Sequence, residues 1–499
     1  MSVHNRSSAK DTKPLTTPRI ALSDAYERSG RVYMTGMQAL TRLLLSQADA
    51  DRRAGLNTAG FVSVYRGSPL GGLDSELMRQ KARLDAAAIR FQPGLNEELA
   101  ATAVWGTQQI HAFGGAKYDG VFALWYGKGP GVDRSGDAFK HGVRNGAAQN
   151  GGVLLAFGDD HPGKSSTIAH QSDPSIAALG IPVLTPATLD DVIAFGRFGW
   201  AASRFSGIWV GLKCVNETAE ATAAVEVQDA YGPYTMPGGP EAPPEGLHAR
   251  FAFEPLADEG RHLNYRLPAF SAFAAANPVD TVTIAGARDG LGIVAPGKSW
   301  LDVLEALRLL GLTDPGGPVS LYKIGLSWPI DRQGFLAFAE GKRELLIVEE
   351  KAPLIEQQAA SILYNAPAPS RPALVGKHDE TGRPLVPVAN VLHAGDLAVV
   401  IGERLERLGL AGPELRARIA EIKSKQESLA DTIADPARKP WFCSGCPHNT
   451  STKTPQGSVA LTGIGCHTMA IWMDRRSLPP TQMGGEGANW IGMAPFVET

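Results

Sequence analysis

The chain has 499 residues, a formal net charge of −3, and 43% hydrophobic against 20% charged residues. That length exceeds one ordinary core and predicts two or three domains, while the near-neutral charge and the lack of a dense Lys/Arg run argue against a nucleic-acid partner. Four cysteines do not make a disulfide framework, the first thirty residues lack the apolar stretch of a signal peptide, and no run approaches the roughly 18–20 apolar residues of a membrane span, so a reducing cytoplasm and no membrane partner are expected.

Residues 1–30 read as a polar tail. From 31 to 230, short apolar runs alternate with helical patterns. Strands are predicted over 61–65, 121–126, 153–157, 183–185 and 208–215, and helices over 97–113, 137–148 and 190–205. Such alternation predicts an α/β fold with a parallel sheet covered on both faces. Residues 231–279 read as a linker, rich in Pro and Gly up to Leu247. A second α/β unit over 280–400 carries strands at 281–284, 319–323 and 345–348, with helices at 299–310, 331–339 and 354–364. A helical connector over 401–440 includes a charged stretch, 403–430, broken at Gly412-Pro413. The remainder, 441–499, holds three of the four cysteines.

The run from Gly292 to Ser299 matches the phosphate-loop pattern G-x-x-x-x-G-K-S letter for letter. We read it instead as a strand, a tight turn and a helix start. Ile293, Val294 and Ala295 continue an apolar strand, which leaves only Pro296 and Gly297 to turn the chain. Ser299 is then expected as the helix N-cap with Asp302 three residues on. Glu349-Glu350-Lys351 reads as a strand-end polar cluster, and Cys214 as a small core residue.

The tail reads W-F-C-S-G-C-P-H from Trp441 to His448, then G-I-G-C-H from Gly463 to His467. Cys443, Cys446 and Cys466 admit three chemistries by spacing alone. These are three ligands of an iron–sulfur cluster, a zinc site completed by His448 or His467, and a dithiol pair at Cys443 and Cys446. Pro447 separates Cys446 from His448, which disfavours covalent haem.

Further segments narrow this. Tyr65-Arg-Gly-Ser-Pro-Leu-Gly-Gly72 follows the first strand, Phe91-Gln-Pro-Gly-Leu-Asn-Glu-Glu98 precedes the first long helix, and Tyr126-Gly-Lys-Gly-Pro-Gly-Val-Asp-Arg-Ser-Gly-Asp137 follows the next strand. Together with the two cysteine motifs, and in this order, they resemble the thiamine-diphosphate-dependent 2-oxoacid:ferredoxin oxidoreductases. The resemblance is nearest to the N-terminal portion of the large fused indolepyruvate:ferredoxin oxidoreductases, and runs from about Arg31 to Thr499.

The resemblance implies a pyrimidine-binding thiamine diphosphate domain over 31–230. It implies a transketolase C-terminal-like domain over 280–400, and an incomplete diphosphate-binding, iron–sulfur third α/β domain over 441–499. Glu97 matches the glutamate that hydrogen-bonds the aminopyrimidine and would be catalytic. Read from the residues alone, Glu97 and Glu98 equally complement a helix N-terminus after an Asn96 cap. Ser68, beside Gly67 in the Gly-Ser-Pro turn, matches a hydroxyl near the substrate carboxylate, although turn hydroxyls also serve as local backbone partners. Lys128 and Arg134, in a Gly-rich loop at a strand end, are alternative partners for that carboxylate, and the sequence does not choose between them. Gly484, Gly485 and Gly487 resemble the Gly-rich segment near the cofactor, and Cys443, Cys446 and Cys466 match three ligands of a [4Fe–4S] cluster. The magnesium motif and the fourth cysteine of the family find no match, so this chain is expected not to build the site alone. The implied activity is oxidative decarboxylation of arylpyruvates to aryl-acetyl-CoA, with coenzyme A as co-substrate and ferredoxin as electron acceptor. A homo-oligomer or a complementing subunit is expected. The alternatives are an inactive fragment, a subunit that needs a partner chain, and a zinc-stabilised binding module.

Overall fold

The computed structural model describes residues 25–163, 168–228, 231–238, 241–252, 254–367, 371–430 and 440–498. The polar N-terminal tail therefore lies outside the described residues as far as position 24, and so does most of the approach to the cysteine tail.

Two α/β units dominate. The first begins with β1 (Gly30–Thr35), continues with β2 (Thr58–Val64), β3 (Ile89–Pro93), β4 (Gly120–Lys128), β5 (Val153–Asp159), β6 (Val183–Leu184) and β7 (Val210–Val215), and ends with β8 (Thr222–Val227). β1 and β8 form their own antiparallel pair, Gly30 opposite Val227. In the second unit β9 (Thr281–Ile284), β10 (Leu291–Pro296), β11 (Val319–Ile324), β12 (Leu326–Trp328), β13 (Glu344–Ile347) and β14 (Ala373–Val375) follow.

The large sheet runs β12-β6-β7-β5-β4-β2-β3 and is parallel except at β12. Every residue of β4, β5 and β7 is buried, as expected of strands covered on both faces. The helix Glu97–Thr107 packs beside Gly129–Asn145, and Gly36–Arg53 packs on Leu189–Ser206. Trp125, Trp200 and Trp209 fill the core between these layers, and Cys214 is buried with them.

The second sheet runs β14-β13-β10-β11-β9, with β9 antiparallel. β12 leaves this unit to pair antiparallel with β6 of the first, Leu326 opposite Leu184. Lys323 also reaches Asp191 at 2.7 Å, and the hydroxyls of Thr185 and Ser327 meet at 2.7 Å. The two units thus share a sheet edge and a polar seam.

Several expectations change. The stretch 231–279 is more than a linker. It contains the helix Pro255–Arg261, a π-helical turn His262–Arg266 and the helix Leu267–Ala276. Phe270 and Phe273 enter the first core, while the buried Arg266 guanidinium donates to the carbonyls of Arg144 and Asn145, at the end of the Gly129–Asn145 helix. The dense Pro/Gly punctuation thins after Leu247, and the apolar residues beyond it recur at helical spacing.

The helix after β10 begins at Gly297. Its N-cap position is Pro296 without a side-chain bond, so Ser299 is not the cap; it lies inside the helix, buried. Asp302, expected to complete the cap, instead pairs with Lys298 at 2.8 Å. Lys298 also pairs with Glu350 at 3.0 Å and donates to the Leu392 carbonyl at 2.6 Å. β10 passes into the helix with no loop that could curl around phosphates, and the ammonium is already engaged, so the phosphate-loop match is a coincidence of letters. The charged stretch resolves into Ala394–Arg407 and Pro413–Ala430, broken where expected.

The tail is thinly structured. β15 (Ala460–Leu461) and β16 (Ser477–Leu478) form one parallel pair, and Phe442, Ala470 and Met473 make a small core.

Candidate active site

Ligands of parallel sheets collect at the carboxyl ends of the strands. There, the first unit meets the tail and leaves two adjoining clefts. The first, about 470 Å³, is lined by Tyr65, Asn96, Glu97, Ile464, Gly465 and Glu486. The second, about 340 Å³, is lined by Pro130, Asp133, Ile168, His170 and Gln482. Lys128, Arg134, Ile464, Met483 and Gly484 belong to both. Four residues singled out in the sequence therefore come together: Glu97, Lys128, Arg134 and Gly484.

Glu97 opens the helix Glu97–Thr107, which Asn96 caps by accepting from the Leu99 N–H at 2.8 Å. The cap is as expected, but the two glutamates behind it differ. Glu98 is exposed at the helix end, whereas Glu97 is 1% exposed. The Trp125 indole donates to the Glu97 carbonyl at 3.0 Å and fixes that turn to β4. The Glu97 Oε1 atom is inaccessible to water and has no hydrogen-bond partner among the described residues. A surface helix-dipole role cannot describe such a carboxylate. Burying a polar group without a partner costs free energy, and such groups in folded proteins mark strain, catalysis or an absent ligand. The neighbouring helix makes room for it. A Cβ on Gly131 would fall 2.7 Å from Glu97 Cγ and 3.2 Å from Oε1.

Lys128 and Arg134 do not sit in a Gly-rich loop. β4 runs through Lys128, and the Gly129–Asn145 helix starts at the next residue and carries Arg134. The glycines and proline that suggest a loop form its first turn, where a proline is well tolerated. This separates the two cations. Lys128 is 5% exposed, and its ammonium is pushed below its ordinary range by burial, against the pull of the Glu97 and Asp160 carboxylates. Its stem lies on Gly67, where a Cβ would come within 2.7 Å of Lys128 Cδ. Gly67 thus serves the lysine by its small size. Arg134 lies at the exposed rim and donates to the Met483 carbonyl at 3.2 Å, which ties the tail to the first unit.

Gly484, in left-handed backbone at φ 82°, lies against the Arg134 guanidinium, and its N–H donates to Glu486 at 2.8 Å. Gly485 and Gly487 do not line either cleft, and neither does the half-buried Ser68.

The cysteine motifs are neighbours. Phe442 stacks on His448 at 5.2 Å, and His448 stacks on His467 at 5.9 Å. Cys446 Sγ lies 3.3 Å from His448 Nδ1, while Cys443 and Cys466 are exposed. Among the described residues, no three His, Cys, Asp or Glu side chains converge as a metal-binding group. As placed, the three thiols fit neither a cluster nor a zinc ion.

At the strand ends of the second unit, the Glu349 carboxylate accepts the backbone N–H groups of Leu354, Ile355 and Glu356 at 2.9 Å each. It and Glu350 are buried, and both are fully engaged, consistent with a structural polar cluster. The sequence reading missed His170, Met483 and the lining role of Ile464. His170 belongs to no motif, and G-I-G-C-H draws attention to its cysteine, not to Ile464.

Comparison with known proteins finds similar sequences and folds. Residues 281–429 match the model of the indolepyruvate oxidoreductase domain. Indolepyruvate oxidoreductase subunit IorA of Pyrococcus abyssi is 24% identical over 481 residues, 93% of this chain and 65% of that protein. IorA of Methanothermobacter thermautotrophicus is 24% identical over 86% of this chain and 64% of its own length. IorA of Thermococcus kodakarensis reaches 30% identity, over 38% of this chain and 27% of that subunit. The chain thus spans less than two thirds of the length of these relatives. In fold it is similar to the 2-oxoglutarate:ferredoxin oxidoreductase of Magnetococcus marinus, with a TM-score of 0.53 and 14% identity over 76% of this chain and 66% of that one. The resemblance to the indolepyruvate oxidoreductases is therefore borne out: residues 281–429 match the model of that family's domain, and the likeness to IorA subunits extends over most of the chain.

Proposed function

We propose that this chain supplies the aminopyrimidine side of a thiamine diphosphate site and, within a larger assembly, takes part in the oxidative decarboxylation of an aryl 2-oxoacid. The observation that carries the reading is the buried Glu97 carboxylate, unpartnered at Oε1 and lining a cleft at the strand ends. A carboxylate so placed suits a ring nitrogen that must be protonated and deprotonated. When bound, thiamine diphosphate supplies a thiazolium that acts as the electron sink for decarboxylation.

The chain's own groups have separable tasks. Glu97 holds a proton for the ring and returns it. Gly131 lets the second helix close over that carboxylate. Lys128, inside the cleft and short of water, neutralises the carboxylate of the 2-oxoacid. Arg134 holds the Met483–Gly484 segment over the clefts and limits the entry of water. No diphosphate or magnesium ligand is assigned to this chain. Cys443, Cys446 and Cys466 do not converge, so no electron-transfer step is routed through them.

Ferredoxin as acceptor and coenzyme A as co-substrate belong to the same proposal. They rest on the motifs and on the Magnetococcus marinus neighbour, whose structure contains 2-oxoglutarate, coenzyme A and succinyl-CoA. The relatives are named as subunits, which supports a complementing chain. Leu95 and Leu99, 82% and 48% exposed on either side of Glu97, offer it an apolar face.

The test is Glu97→Gln in the assembled enzyme. Turnover of indolepyruvate should fall by about 10²–10⁴-fold, the usual span of a general acid–base group, with the melting temperature retained. Wild-type turnover in that variant removes Glu97 from the mechanism and the reading with it.

A further inference from the structure

The second cleft has a composition of its own. Pro130, Ile168, Ile464 and Met483 give it apolar walls, and His170 is its one imidazole. At about 340 Å³ it lies within the size range of small-molecule sites.

His170 is held firmly. Its backbone N–H donates to the Asp160 carbonyl at 3.2 Å. The next residue, Gln171, exchanges two hydrogen bonds with Ala352 of the second unit, and Ser172 donates twice to Asp159. The ring lies against the first turn of the Gly129–Asn145 helix, where a Cβ on Gly129 would fall 2.6 Å from both Cγ and Nδ1. Its side chain is 11% exposed, and Nδ1 is 3.9 Å from the Asp133 carboxylate. With Nδ1 on the Asp133 side, Nε2 is the ring nitrogen left for a ligand, and a neutral imidazole can accept a hydrogen bond there. Among the described residues no hydrogen bond engages the ring.

An acceptor in an apolar-walled pocket discriminates between ligands. One that brings an N–H satisfies it, and one without leaves it unpaired. Building on the 2-oxoacid reading of this site, we propose that His170 determines specificity: with the substrate carboxylate against Lys128, the imidazole accepts a hydrogen bond from the ring N–H of an indole side chain and so favours indolyl over phenyl 2-oxoacids.

The test uses the assembled enzyme and three 2-hydroxy acid analogues that cannot be decarboxylated: indole-3-lactate, its 1-methylindole counterpart and phenyllactate. Calorimetry on the wild type should show indole-3-lactate binding about tenfold tighter than the N-methyl compound, the usual weight of one hydrogen bond. His170→Leu should bring those two within about twofold, while phenyllactate, which offers the ring no donor, serves as the reference and shifts by less than about twofold. His170→Gln keeps a side-chain acceptor and should restore most of the preference, with equal melting temperatures showing intact folds. If the preference for the N–H compound survives His170→Leu, or if all three ligands weaken in parallel, the specificity role is overturned. If the wild type binds none of the three, or Lys128→Met leaves phenyllactate affinity unchanged, the 2-oxoacid reading itself falls.

Discussion

The two α/β units place buried glutamates at comparable points and use them in opposite ways. In the second unit Glu349 receives the N–H groups that open the Ile355–Tyr364 helix, and Glu350 is paired with Lys298. In the first unit Glu97 is buried as deeply, yet among the described residues its Oε1 meets no donor. The second unit has satisfied Glu349 and Glu350 internally, whereas the first has left Glu97 Oε1 without a donor beside a cleft. Burial and position in the sheet are therefore poor guides to function by themselves. The hydrogen bonds that a buried acid lacks are the better guide.

This contrast can be broken most sharply by stability. Glu349→Ala strips three backbone donors of their acceptor in a buried site and should cost about 3–5 kcal/mol in urea denaturation. Glu97→Gln leaves no backbone donor without its acceptor and should change stability by less than about 0.5 kcal/mol, or raise it. Equal losses in the two variants would erase the distinction.

A smaller effect concerns the seam between the units. Asp280 accepts the N–H groups of Gly325 and Leu326 at 2.7 and 2.9 Å, just where β12 departs to join the first sheet. Burial raises its carboxyl from 3.8 to about 6. Because the folded state binds this proton more tightly than the unfolded chain, the contribution favours folding below pH 4. It is lost as pH rises from about 4 to 6. By the linkage relation that loss is about 2 kcal/mol, and Asp280→Asn should remove it. Denaturation of the two proteins at matched pH values from 4 to 7 measures the difference, and parallel profiles would refute it.

The smallest effect sharpens the Glu97 side. Gly131→Ala sets a methyl against the Glu97 stem and should cost about 1–2 kcal/mol of stability by overpacking. It should also weaken binding of thiamine diphosphate to the assembled enzyme, seen as a raised cofactor requirement. Unchanged cofactor affinity would mean that the approach of the second helix is not what positions Glu97.

Much of this molecule was legible in advance where chemistry and pattern coincide. The fully buried strands read as continuous apolar runs, and the Asn96 cap followed from residue type. The motif order pointed to Glu97, and to Lys128 and Arg134 without choosing between them. Other parts were not legible. β1 and β8 are a half-exposed pair without a long apolar run, and the 255–276 helices hid behind a Pro/Gly stretch. His170 has no motif, because its place in the cleft depends on two segments that meet only in three dimensions.

The sequence by itself determined the strand–helix alternation, the identity of the acid at the helix start and the spacing of the cysteines, because periodicity, capping and motif order are local properties. Tertiary structure alone decided which of two adjacent glutamates is inside and which of two cations is buried while the other lies at the rim. It also decided that Lys298 is engaged by acids and that the three tail thiols do not converge. Each of these depends on donors and neighbours far away in the chain, and burial, not spacing, sets their energetic consequence.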